Sequence, residues 1–143
     1  MKWFPGECRE GDMIRIPVGS FFHYGIYVSD SEVIEFGPAP DGRPRDESAI
    51  RVGVTDIGTF SGGKIVEVGV CDRREARARR SPKETVDAAR AGIGSGGYSL
   101  LHNNCEHFAY YCVFGVKKST VEEEARKKWN LLGIRPGSGP GKK

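Results

Sequence analysis

The stretch from His23 to Pro40, HYGIYVSDSEVIEFGPAP, constrains the fold more than any other part of this sequence. Two runs of β-branched and aromatic residues flank a Ser-Asp-Ser turn, and Gly37 and Pro38 end the second run. Such runs around a short polar turn are typical of an antiparallel β-hairpin. The stretch therefore predicts two neighbouring strands.

Further strands are predicted on both sides of this hairpin. DMIRIPV (12–18) alternates apolar residues with an arginine, and KIVEVGV (64–70) is rich in β-branched residues. Between them, Asp41 to Gly63 is polar and rich in Gly, Pro, Asp and Arg, which predicts a long loop with one short strand at AIRVGV (49–54).

Two helices are predicted in the second half of the chain. Ser81 and Pro82 favour a helix start, because Ser caps an N-terminus and Pro fits the first helical position. STVEEEARKKWNLLG (119–133) pairs Glu with Arg or Lys four residues apart, which is typical of a helix.

The chain is expected to form one domain over residues 1–134, since it has 143 residues and 38% hydrophobic content. The Gly- and Pro-rich tail 135–143 is predicted to be disordered.

Another predicted helix begins around the cysteine of HNNCEHFAYYC (102–112). Asn103 is expected to cap it, with Glu106 three positions on, and apolar residues then recur at helical spacing as far as Gly115. Cys105 would then lie in the first turn and face inward. Helix N-termini lower the pKa of thiols, and their unpaired N–H groups can hold an oxyanion. Cys105 is therefore a candidate nucleophile.

A thiol nucleophile needs a base, and the sequence offers His23, His102 and His107. His107 lies two positions beyond Cys105, about 200° around the helix axis, so it faces away from the thiol. His102 precedes the cap, whereas His23 begins a strand that the tertiary fold can bring to Cys105. Glu35, a carboxylate in an apolar strand, is the candidate to orient His23. The two share a sheet face only if the turn holds an odd number of residues or the hairpin has a bulge.

The cysteines also have other possible roles. Cys8, Cys71, Cys105 and Cys112 are scattered, so free thiols are expected in place of disulfides. Cys71 and Cys112 fit a core role as small apolar residues, and that role is also open to Cys105. A zinc site of Cys105, His107 and Cys112 is disfavoured, since their spacings do not converge on one helix face. We therefore predict neither a metal nor a cofactor.

The basic segment RREARARRSPK (73–83) would place Arg73, Arg77 and Arg80 on one helical face, suited to anionic lipid or nucleic acid. A solvated charged surface is the simpler alternative. The net charge of +3 defines no partner, and we expect no nucleic acid. No run reaches the roughly 18 apolar residues of a membrane span, and no secretion signal is recognisable. We expect a cytoplasmic protein with peripheral contact to an anionic membrane.

Two segments, HYGIYVSDSEVIEFGP and then NNCEHFAYYCVFG, resemble the lecithin:retinol acyltransferase (LRAT) family, which includes the small phospholipase A/acyltransferases. That family stands with the NlpC-type cell-wall peptidases among the circularly permuted papain-like thiol enzymes. The resemblance runs from about Cys8 to Gly115. It implies an α+β fold, with an antiparallel β-sheet packed against helices and the cysteine at a helix N-terminus.

The resemblance also implies roles for three residues. Cys105 matches the family nucleophile, His23 matches the general base, and Glu35 stands where the family usually carries a second histidine that orients the base. The implied activity is that of a thiol acyltransferase or phospholipase A-like hydrolase. It would form a thioester on Cys105 from a lipid ester and pass the acyl group to water, an amine or an alcohol. The alternatives are an NlpC-type peptide or amide hydrolase and a non-catalytic binding or regulatory module with the same fold.

Overall fold

The computed structural model describes residues 1–100 and 103–116 of the chain. Within these ranges, six strands and four α-helices follow in the order β1 Lys2–Pro5, β2 Asp12–Val18, β3 Phe21–Ser29, β4 Glu32–Phe36, β5 Val52–Thr55, α1 Ile57–Ser61, β6 Glu67–Val70, α2 Arg73–Ala78, α3 Pro82–Ala91 and α4 Cys105–Phe114. A 3-10 helix at Glu47–Ala49 lies between β4 and β5. The predicted α+β class with an antiparallel sheet is confirmed.

The strands form one sheet in the order β1-β6-β2-β3-β4-β5, and each neighbouring pair is antiparallel. The hairpin predicted from the opening stretch is the β3–β4 pair. Strand β2 has the predicted bounds. It accommodates Pro17 because this residue lies near the strand end, where a missing backbone donor costs little. The sheet centre, where β3 lies, is thus built from consecutive hairpins.

Both faces of the central strands are buried, which explains their nearly continuous apolar sequence. On one face, β2, β3 and β4 pack against α4 through a core that includes Met13, Ile26, Ile34, Phe108 and Cys112. On the other face a second core surrounds Phe60 of α1 and includes Ile14, Ile16, Val33 and Val68. The sheet therefore holds α4 against β3 on one side and α1 on the other.

The segment from Asp41 to Gly63 is more structured than predicted. The short strand is β5 at Val52–Thr55, shifted toward the C-terminus from the predicted range. Helix α1 was not predicted because it has five residues, too few for a periodic apolar pattern. Its start is fixed locally, since the Asp56 carboxylate accepts a hydrogen bond from the Thr59 N–H at 2.7 Å.

The predicted start of α3 is confirmed. Ser81 is the N-cap, its hydroxyl accepts from the Glu84 N–H, and the Glu84 carboxylate accepts in return from the Ser81 N–H. This reciprocal capping box satisfies two backbone donors that the helix leaves unpaired. The helix ends at Ala91 with Gly92 as its C-cap.

The basic segment does not form one helical face, so the prediction that Arg80 shares a face with Arg73 and Arg77 is wrong. Helix α2 ends at Ala78, since Ser81 and Pro82 start the next helix and Pro disfavours helical backbone before it. Arg80 instead donates hydrogen bonds to the Tyr111 and Cys112 carbonyls, at 3.1 and 3.3 Å. It thereby compensates the negative C-terminal end of α4.

Two other predictions, the helix at 119–133 and the disordered tail at 135–143, lie outside the described residues. The described part of the chain contains no helix with the length and apolar character needed to cross a bilayer.

Candidate active site

The N-terminus of α4 is held by a capping box, one residue later than predicted. The Asn104 side chain accepts a hydrogen bond from the His107 N–H at 3.0 Å, and His107 Nδ1 accepts from the Asn104 N–H at 3.1 Å. The predicted pair, Asn103 and Glu106, is wrong as the capping pair. Asn103 instead forms a β-bridge with Ser99, an interaction that sequence spacing does not reveal.

Cys105 is the first residue of α4 and follows its N-cap directly. The backbone N–H groups of the first helical turn lack partners within the helix, and the helix dipole adds partial positive charge there. The Cys105 side chain is 8% exposed and lines a cavity of about 770 Å³. It is therefore a partly shielded thiol that a substrate in the cavity can reach.

His23 and Glu35 are brought together by an irregularity in the β3–β4 hairpin. The register shifts between Tyr27 and Ser29, so a β-bulge compensates for the two-residue turn. His23 and Glu35 therefore fall on the same face, and His23 Nε2 lies 2.8 Å from Glu35 Oε1. The sequence allowed this pair only with an odd-numbered turn or a bulge, and the bulge meets that condition.

The His23 ring makes a hydrogen bond with the Glu35 carboxylate and also interacts with the Cys105 thiol, which is one of the groups that raise its pKa. Since Nε2 faces Glu35, Nδ1 is the ring nitrogen available to the thiol. The last β3–β4 pair on this side joins Gly25 to Glu35, and His23 lies two residues beyond it. The start of α4 approaches the strand at this point. The structure thus places all three predicted residues in one cluster.

The environment of His23 favours the protonated ring. Its burial lowers the pKa, but hydrogen bonds and charge interactions with Cys105 and Glu35 outweigh burial and raise the pKa to about 9. The Phe60 ring covers His23 at a centroid distance of 5.2 Å. Gly25 permits this cover, because a Cβ there would lie 2.8 Å from Phe60 Cε1. At neutral pH the cluster can therefore hold an imidazolium beside the Cys105 sulfur.

The other histidines differ from His23 in place or role. His107 is 1% exposed, and its side chain takes part in the α4 capping box. His102 lies outside the described residues. His23 is therefore the histidine that the described structure places at Cys105.

The four cysteines are free thiols, as predicted. Cys112 is fully buried in the core, and this burial raises its pKa to about 12. Burial also raises the pKa of Cys8 and of Cys71. Among residues 1–100 and 103–116, no group of three or more His, Cys, Asp or Glu side chains is placed to hold a metal ion.

The cavity beside Cys105 also contains residues that sequence reasoning missed. Its lining includes Arg15, Tyr24 and Tyr98, together with Phe21 and Phe22 at the start of β3. Burial raises the pKa of Tyr24 well above its usual range, so its hydroxyl stays protonated. A sequence signal existed, since Arg15 interrupts an otherwise apolar strand.

Comparison with known proteins agrees with this arrangement. The chain belongs to the lecithin retinol acyltransferase family, whose model matches residues 6–118. The resemblance proposed from the two sequence motifs is thereby confirmed, and the match includes each member of the Cys105, His23 and Glu35 cluster.

Several curated proteins are similar to this chain at low identity. Lecithin retinol acyltransferase of Bos taurus is 28% identical over 124 residues, which cover 73% of this chain and 54% of that protein. Phospholipase A and acyltransferase 3 of Mus musculus is 25% identical over 136 residues, which cover 90% of this chain and 84% of that protein. Phospholipase A and acyltransferase 2 of Homo sapiens is 27% identical over 121 residues, which cover 78% of this chain and 74% of that protein. The chain thus spans little more than half of the bovine lecithin retinol acyltransferase.

Proposed function

We propose that this protein is a thiol acyltransferase or phospholipase A-like hydrolase that acts on lipid esters. Cys105 is the nucleophile, His23 is the general base, and Glu35 orients His23 and stabilises its positive charge. The observation that carries the proposal is the contact of the His23 ring with both Cys105 and Glu35 beside an accessible cavity. The names of the relatives, lecithin retinol acyltransferase and phospholipase A and acyltransferase, support an acyl ester as substrate.

In the proposed reaction His23 has already taken the thiol proton before the attack, and the Cys105 thiolate then attacks the ester carbonyl carbon. The carbonyl electrons move to oxygen, and the Cys105 N–H at the start of α4 donates to that oxyanion. As the ester C–O bond breaks, the His23 imidazolium gives its proton to the leaving alcohol. Water, an amine or an alcohol then attacks the thioester with His23 as base, and the sulfur leaves as thiolate.

We propose that the sheet and α4 form the circularly permuted papain-like fold, because the cysteine begins a helix packed on an antiparallel sheet whose strands carry His23 and Glu35. Residues 1–134 are proposed as one domain. The cytoplasmic location and the disorder of residues 135–143 stay predictions.

A product analysis tests the proposed activity. The protein is incubated with phospholipid dispersions, with and without a primary amine, and with a cell-wall peptide as the competing substrate. Release of fatty acid, or of an acylated amine, is expected from the lipid. Cleavage of the peptide with no lipid turnover would support an NlpC-type amide hydrolase, and loss of neither substrate would support a non-catalytic module.

The remaining part of the basic segment supplies a separate prediction. Arg73 and Arg77 lie on the short helix α2, and we propose that they contact anionic lipid surfaces. Each basic residue near such a surface contributes about 1 kcal/mol, so the Arg73→Gln/Arg77→Gln variant should bind anionic vesicles at least about tenfold more weakly. Vesicle sedimentation with phosphatidylserine-containing membranes measures this effect.

The matched control for this experiment is Arg9→Gln/Lys64→Gln, which removes the same charge from two other exposed positions. Its vesicle affinity should fall by less than about threefold, through net charge alone. Equal losses in both double variants, or no loss in either, would contradict a specific membrane contact of Arg73 and Arg77.

A further inference from the structure

Arg15 of β2 lies inside an aromatic cluster on the wall of the cavity that Cys105 lines. Its guanidinium carbon is 3.7 Å from the centroid of the Phe22 ring and 4.4 Å from that of the Trp3 ring. Tyr24 completes the cluster, with its ring centroid 5.7 Å from that of Trp3 and 6.4 Å from that of Phe22. The charged group thus occupies the space between aromatic rings.

A hydrogen bond and two ring contacts hold Arg15 in this position. Arg15 and Glu67 are direct cross-strand partners on β2 and β6, and Arg15 Nε donates to Glu67 Oε1 at 2.8 Å. A guanidinium has five N–H donors, so the bond to Glu67 leaves donors for a ligand in the cavity. The side chain is 17% exposed, and little rotamer entropy remains to be lost on binding.

The Arg15 guanidinium determines which lipid headgroups the aromatic cluster can bind. Aromatic cages are the usual protein sites for quaternary ammonium groups such as choline, because the ring faces attract a cation. Here the guanidinium of Arg15 already stands where such a cation would bind. Its unused N–H groups are instead charge-assisted donors, which suit phosphate oxygens. The site is therefore closed to choline and open to an anion.

Other charged residues also line the cavity, namely Arg43, Arg45, Asp46, Glu47 and Glu106. The carboxylates of Asp46 and Glu47 accept hydrogen bonds from backbone N–H groups, at 3.1 and 2.9 Å. Arg43 is 85% exposed and pairs with a neighbouring aspartate. Arg15 differs from Arg43 in being held rigidly, so it is the better candidate for a selective contact.

We propose that Arg15 recognises the phosphate of the acyl donor, and that the cavity prefers lipid esters with a net negative headgroup over choline lipids. This inference rests on the proposed function, because it names the donor class for the same cavity. Arg15 would be a specificity-determining residue that touches substrate, whereas the bond-breaking steps belong to Cys105 and His23.

The first test measures binding without turnover. The Cys105→Ala protein is titrated calorimetrically with monomeric dihexanoyl phosphatidylglycerol and, separately, with dihexanoyl phosphatidylcholine. Monomers exclude attraction to a membrane surface, so any preference arises in the protein site. Both lipids carry the phosphate, but only the choline lipid would place a second cation beside the Arg15 guanidinium, so the glycerol lipid should bind at least about tenfold more tightly. Equal affinities, or tighter binding of the choline lipid, would overturn the proposal.

Variants in the same Cys105→Ala background assign the preference to Arg15. Arg15→Gln should abolish it, and Arg15→Lys should keep part of it, because the charge stays while the planar fork is lost. Arg43→Gln removes one charge from the same cavity and should leave the preference intact. A lower Tm for Arg15→Gln with an unchanged preference would show that Arg15 serves only the cross-strand pair with Glu67.

The outcome also separates this inference from the proposed function. If the Cys105→Ala protein prefers the anionic lipid but the parent protein releases fatty acid from neither lipid, the proposed function fails and the recognition site stands. If the parent hydrolyses both lipids and binds them equally, the function stands and the role of Arg15 fails.

Discussion

Replacing Cys105 with alanine should abolish lipid-ester turnover, with kcat lowered by about 10⁴-fold or more. The proposed reaction passes through a covalent bond to this sulfur, and loss of a covalent nucleophile leaves only binding and oxyanion stabilisation. The measurement is the rate of fatty acid release from a short-chain phospholipid by the parent and variant proteins. The fold should persist, since the change removes one sulfur from a site beside a cavity.

Cys112→Ala is the matched control, because it removes a second buried thiol from the same helix. Cys112 lies in the apolar core, and burial raises its pKa to about 12, which leaves it protonated and unreactive. This variant should keep kcat within about twofold while losing about 1 kcal/mol of stability to a small cavity. Equal activity of the Cys105→Ala protein and the parent would contradict the nucleophile assignment.

Replacing His23 with alanine should lower kcat by about 10³-fold, the second-largest effect expected. His23 is placed to accept the thiol proton and later to protonate the leaving alcohol, and general acid–base groups contribute factors of this order. The variant should also slow alkylation of Cys105 by iodoacetamide at neutral pH. A His23→Ala protein that alkylates and turns over like the parent would exclude His23 as the base.

Glu35 should control the pH dependence of the same reaction. The pKa of His23 is raised to about 9, so the imidazolium persists at neutral pH. Because the imidazolium gives its proton to the leaving alcohol, activity should fall as pH rises through about 9. Glu35→Gln removes a charge that raises this pKa, so the basic limb of the kcat/KM profile should shift to lower pH. Glu32→Gln is the control on the same strand, because Glu32 pairs with Arg90 away from the cluster. An unmoved limb in Glu35→Gln would contradict the orienting role.

The local signals in the sequence predicted the elements that hold this cluster. Apolar alternation gave β2 and the β3–β4 hairpin, and Ser81 with Pro82 gave the start of α3, because these features are decided by neighbouring residues. The even spacing of His23 and Glu35 in the sequence does not by itself decide whether their side chains meet. The bulge after Tyr27 decides it, and a bulge depends on packing as well as on local sequence.

Other features depend on contacts between distant residues, and these were missed. Arg15 lies inside an aromatic cluster because β6 presents Glu67 and β1 presents Trp3, which are far from it in sequence. Arg80 leaves the basic helix because it bonds the end of α4. In both cases tertiary hydrogen bonds determine the position of the side chain, and the local sequence does not reveal them.

The central claim is that Cys105 carries the acyl group as a thioester, and the intact mass of the protein tests it most directly. The parent protein is mixed with phospholipid of one acyl composition, quenched in acid and weighed, beside the Cys105→Ala and His23→Ala variants. The parent protein should gain the mass of one acyl chain, located at Cys105 and removed by hydroxylamine. Lipid turnover by the parent with no adduct at Cys105 under rapid quench, or an equal adduct on Cys105→Ala, would contradict it.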